Sequence, residues 1–75
     1  MFKVIIKQGE NILCESKELT KAEAEDVMNS HYENIKLAEK GELYAASVKD
    51  HEGNIVTMPK NIILNSIVIA SVIKE

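Results

Sequence analysis

The stretch Ile62-Ile63-Leu64-Asn65-Ser66-Ile67-Val68-Ile69-Ala70-Ser71-Val72-Ile73 is the most apolar part of the chain, and its reading decides the fold. It is far shorter than the roughly twenty residues that cross a bilayer, and Asn65, Ser66 and Ser71 interrupt it, so it reads as a buried strand near 63–73. On an extended backbone Ile67, Ile69 and Ile73 take one side, and Val68, Ala70 and Val72 the other. Both faces are therefore apolar, the pattern of a central strand covered twice. One helix covers one face, so either the sheet closes into a small barrel or a second copy of the chain covers the free face. Ile67, Val68, Ile69 and Val72 are the residues expected to mediate self-association.

Working back from this strand, Pro59 cannot donate to a ladder and is expected to open a tight turn through Asn61. A hairpin precedes it, with strands at 43–49 and 55–58 and Gly53 in the turn. Thr20-Lys21-Ala22-Glu23 has the form of a capping box, and Gly41 is a natural stop, which places a helix at 21–40. Along it Ala24, Val27, Met28, His31, Ile35 and Ala38 recur at three- and four-residue steps and form one buried stripe. The N-terminal alternation Phe2, Val4, Ile6, broken by Gly9 and resumed at Ile12, gives a first hairpin with strands near 2–7 and 11–17. The order is ββαβββ: a single α+β domain over 1–75, built as a strongly curved antiparallel sheet or small barrel with one helix.

Composition narrows the function. With 75 residues and 45% apolar content the chain suits one small domain, but Cys14 has no second cysteine to pair with, and two histidines leave no four-ligand zinc set. Nine lysines, no arginine and twelve acidic residues give a net charge of −3, which makes nucleic acid an unfavourable partner. The lysines within the first apolar run do not match a signal peptide, so a cytoplasmic location with no membrane association is expected. No cofactor, metal or catalytic constellation is indicated: there is no phosphate-binding glycine loop and no nucleophile elbow.

The residue types that carry chemistry read mostly as structural. Cys14 has no basic neighbour in sequence and fits a buried thiol. His31 lies on the apolar stripe of the helix and fits a core or interface histidine, whereas His51, between Asp50 and Glu52, fits a solvated turn. Glu25, Asp26 and Glu33 make the outer helix face acidic, and with Tyr32 and Tyr44 they are the expected contacts for a protein partner. Lys3, Lys7, Lys49 and Lys60 are the charges available to a nucleotide or metabolite, the alternative ligand class.

The segment Lys49-Asp50-His51-Glu52-Gly53-Asn54-Ile55-Val56-Thr57-Met58-Pro59-Lys60-Asn61-Ile62, followed by an apolar strand, resembles the second half of short phage and prophage proteins. Its turn-then-strand ending is also similar to SH3-like and Sm-like barrels, although the basic or aromatic loop residues of their RNA-binding members are missing. The resemblance implies a mobile-element accessory protein that binds and blocks a host or phage protein. Together these readings lead to a non-enzymatic, self-associating protein-interaction module. An oligomeric small-ligand binder is the alternative, and an Sm-like nucleic-acid binder is disfavoured by charge.

Overall fold

The computed structural model describes residues 1–73. β1 (Phe2–Gln8) and β2 (Asn11–Glu15) form an antiparallel hairpin linked by Gly9 and Glu10. Gly9, at φ 61°, supplies the left-handed dihedral that so short a link demands. Ile6 pairs with Cys14 but Lys7 pairs with Ile12, so Leu13 is an extra residue in a β-bulge. Strict alternation would put Ile12 and Cys14 on one face. The bulge separates them, burying Cys14 against the core and leaving Ile12 59% exposed on the outer face.

β5 (Ile67–Val72) runs along the other side of β1, from Phe2 opposite Val72 to Lys7 opposite Ile67, giving the order β2-β1-β5. The first side of β1 stays occupied beyond β2. Ser16 N–H donates to the Val4 carbonyl at 2.9 Å, Val4 N–H donates to Ser16 Oγ at 2.9 Å, and Phe2 and Leu19 exchange backbone bonds at 2.8 and 2.7 Å. β1 is thus the central strand and β5 an edge strand, which corrects the expectation of a central last strand. An apolar run on both faces reports neither position by itself: here Val68 is buried while Ile67, Ile69 and Val72 are exposed.

The barrel expectation is also overturned. β3 (Ala45–Lys49) and β4 (Ile55–Pro59) form a separate two-stranded antiparallel sheet, with Ala45 opposite Pro59 and Lys49 opposite Ile55. The molecule is a small α+β domain with two open sheets. Ala46, Val48, Val56 and Met58 turn toward the core, while Ser47 and Thr57 face water.

α1 (Lys21–Glu39) crosses the inner face of β1 and β5. Its capping box is complete, because Glu23 N–H donates to Thr20 Oγ1 at 3.2 Å and Thr20 N–H donates to Glu23 Oε1 at 3.0 Å. These bonds also hold the Glu23 carboxyl below its ordinary range. At the other end Gly41, at φ 77°, donates to the Ala38 carbonyl at 3.1 Å and Glu42 donates to Leu37 at 2.9 Å, a Schellman closure. Ala24, His31 and Ala38 are the fully buried positions of the helix, and the small alanines let it sit close to its neighbours.

The expected tight turn after Pro59 is a second helix, α2 (Lys60–Leu64), and the last strand accordingly begins at Ile67. Pro59, at φ −69°, ends β4 and serves as the N-cap of α2. Two side chains satisfy carbonyls of α2: Asn65 Nδ2 donates to Asn61 at 2.8 Å and Ser66 Oγ to Ile63 at 2.7 Å. Ile63 is 0% exposed and Leu64 39% exposed, so α2 plugs the junction between α1 and the β3–β4 sheet with one side only. Ile63→Ala is therefore expected to cost about 2–5 kcal/mol in urea denaturation, and Leu64→Ala less than about 1 kcal/mol.

Candidate functional site

Three of the four residues expected at a self-association surface are exposed along β5: Ile67 at 52%, Ile69 at 39% and Val72 at 65%. Val68 is the exception. It is 5% exposed within the single chain, opposite Ile6 and inside the core, so it is a packing residue and not a surface contact. The register places Glu15, Ile5 and Ile69 in one row across the outer face of the sheet, and Ile12, Lys7 and Ile67 in the next. A Lys3–Glu15 ion pair at 3.2 Å borders these isoleucines. The bulge adds Ile12 to this patch, and nothing in the local sequence of β2 announces it.

The remaining expected contacts are dispersed. Tyr32 lies on α1 and is 46% exposed, while Tyr44 precedes β3 and is 75% exposed. Glu25, Asp26 and Glu33 are solvent-exposed on α1. The four lysines proposed for an anionic ligand do not converge: Lys3 and Lys7 stand on β1, and Lys49 and Lys60 flank opposite ends of the β3–β4 hairpin.

A buried polar pair joins α1 to the start of β5. His31 is 2% exposed, Ser66 is 7% exposed, and His31 Nε2 lies 2.8 Å from Ser66 Oγ. The Ser66 hydroxyl has one proton, and it goes to the Ile63 carbonyl at 2.7 Å. Ser66 Oγ must then accept from His31, which puts a proton on Nε2. Nδ1 is buried and has no hydrogen-bond partner among the described residues. Burial lowers the His31 pKa from its ordinary 6.5, consistent with the neutral ring. The separation suits a serine–histidine dyad, but the hydroxyl proton points away from the ring and Nδ1 lacks an orienting carboxylate.

Cys14 is buried, and its Sγ donates to the Lys49 carbonyl at 3.7 Å. Desolvation, assisted by the Asp50 charge, raises its pKa, so the thiol stays protonated near neutrality. The β3–β4 turn is built on Asp50, whose Oδ1 accepts from Glu52 and Asn54 N–H, each at 2.9 Å. Desolvation alone would raise the Asp50 pKa, but these amide donors outweigh it and bring the carboxyl below its usual range. His51 Nε2 lies 3.3 Å from Glu52 Oε1 in solvent, and its backbone N–H donates to the Glu15 carbonyl at 2.8 Å, docking the turn on the edge of β2.

No group of three His, Cys, Asp or Glu side chains is placed to hold a metal ion among the described residues, and no helix among them is long and apolar enough to cross a membrane. Comparison with protein-family models, curated proteins and solved structures finds no match for the chain.

The lowered His31 pKa has a defined sign in stability. Below about pH 6.5 the unfolded chain takes up a proton that the folded chain resists, so the contribution of His31 is complete above that pH and is lost as pH falls toward the folded-state pKa. Urea titrations from about pH 7.5 down to about pH 5 are expected to show this decline in the native sequence and a flatter profile in His31→Gln. Glu23 and Asp50, both lowered carboxyls, keep their contribution through this range and lose it only at more acidic pH.

Proposed function

We propose that this chain is a non-enzymatic interaction module that pairs with a second copy of itself through the free edge of β5. The carrying observation is an asymmetry among the strand edges. β2 is interrupted by a bulge, carries Glu15 and is capped by the 50–54 turn. β3 ends in Lys49 and β4 in Pro59. Bulges, charges, proline and covering loops are the devices by which natural sheets block edge pairing. β5, with the sequence Ile67-Val68-Ile69-Ala70-Ser71-Val72, has no charge, proline or glycine, and no strand lies on its outer side among the described residues.

A two-fold axis perpendicular to the sheet pairs β5 antiparallel with its counterpart and joins two three-stranded sheets into one of six strands. That operation keeps both outer faces on the same side, so Ile67 and Ile69 from the two copies lie beside one another and shield each other from water. The surplus of exposed surface fits this reading: 5006 Å² for an 8.4 kDa chain, against about 4,600 Å² for a compact monomer of that mass. Pairing through β5 uses none of Glu25, Asp26 and Glu33, so the acidic face of α1 remains for a protein partner with a basic surface.

Sedimentation velocity on the native sequence at high micromolar concentration is expected to report a dimer. Ile69→Lys, at an exposed position, should shift it to monomer with an unchanged circular dichroism spectrum, while Thr57→Lys, exposed on the other sheet, leaves the dimer intact. Val68→Lys should instead unfold the chain, because Val68 is a core residue. A native protein that stays monomeric across this range overturns the reading.

A further inference from the structure

α1 covers one face of the β2-β1-β5 sheet, and the other face is open to solvent. On that outer face Ile12 is 59% exposed, Ile67 52% and Ile69 39%, with the half-buried Ile5 on the strand between them. Lys7 stands inside this patch, in one row with Ile12 on β2 and Ile67 on β5. Lys3, on the same face, is neutralised by Glu15 at 3.2 Å, but Lys7 has no ion-pair partner among the described residues. The face is apolar, with one uncompensated positive charge within it.

We propose that this open face docks an amphipathic helix of another protein, one whose apolar stripe is flanked by a carboxylate that meets Lys7. The width of the sheet suits a helix, because three strands at about 4.8 Å spacing measure about 10 Å between the outer axes, the diameter of one helix. Any cover that brings no opposite charge strands the Lys7 ammonium away from water, so the occupant must supply an acid there. That requirement sets the chemistry of the partner.

The same charge argues against other covers. A second copy stacked face to face adds another Lys7 and offers only a Glu15 that Lys3 already holds. The chain's own α1 does not fit, because its outward stripe of Asp26, Asn29, Glu33 and Lys36 has no apolar residue to set on the isoleucines. An anionic bilayer gains little from one free lysine. Pairing through β5 leaves the face open: Ile73 N–H donates to the Met1 carbonyl at 2.9 Å, so by alternation Val68, Ala70 and Val72 turn their backbone groups to the free edge. An edge partner and a face partner thus use different groups, and this docking does not rest on self-association.

The test is a titration of the full-length, ¹⁵N-labelled chain with a synthetic amphipathic peptide of about eighteen residues, with leucines along one stripe and glutamates on its flanks. A counterpart with lysines in place of the glutamates is the control. Saturable amide shifts at Ile5, Lys7, Ile12 and Ile67 are expected, with the lysine peptide weaker by about tenfold or more. Lys7→Glu should reverse the preference between the two peptides, and Lys7→Gln should leave them bound about equally, both with an unchanged circular dichroism spectrum. Ile12→Ser should weaken the acidic peptide, yet leave a β5 dimer intact in sedimentation velocity, because β2 lies across β1 from β5. The proposal is overturned if the acidic peptide gives no saturable shifts on this face, if the lysine peptide binds as well, or if the Lys7 variants leave the preference unchanged. It is overturned equally if the free protein is a tetramer that Ile12→Ser disperses, which makes a second copy the cover, or if phosphatidylglycerol vesicles bind the face and the peptide does not.

Discussion

The backbone of β1 is hydrogen-bonded along both sides, and the rest of the molecule is arranged around that strand. On one side β2, Ser16 and Leu19 fill its polar groups, and on the other β5 does. Val4 and Ile6 then point to α1, and Ile5 to the uncovered face. Because the sheet has three strands and its centre is β1, β5 must be an edge. β5, which carries no charged residue, therefore has β1 as its single strand neighbour among the described residues.

Much of this was legible in the sequence wherever local chemistry decides. Thr20 with Glu23 and Gly41 mark the ends of α1, and Gly9 and Gly53 mark the two hairpins, because capping and positive φ demand particular residues at particular positions. α2 was obscured because Ile62 and Ile63 are β-branched and continue the apolar run into β5. The countersignals were Pro59 before the first turn and the polar pair Asn65-Ser66 after the last. Whether β5 is central or at an edge depends on which strand β1 selects on its far side, and periodicity holds no information about that choice.

The candidate sites divide in the same way. Alternation along β5 separates Ile67 and Ile69 from Val68, but only the packed structure shows that Val68 belongs to the core. The helical stripe placed His31 facing inward. Its partner Ser66 is 35 residues away, and the proton on Nε2 follows from the one that Ser66 gives to Ile63. No sequence spacing encodes that relay. The bulge at Leu13, which adds Ile12 to the outer patch, is equally a product of pairing.

The pairing of β1 with β5 also dictates an order of events in synthesis. Phe2 finds its place opposite Val72, so the central strand lacks one of its neighbours until nearly all of the described chain has left the ribosome. The β1–β2 hairpin and α1 emerge early, yet a two-stranded hairpin is marginal alone, and α1 has only part of its sheet to cover. Closure over so long a separation gives the fold a high contact order for its size. During that interval the apolar residues of β1 lack the cover of β5, and the sheet is completed only when that strand arrives.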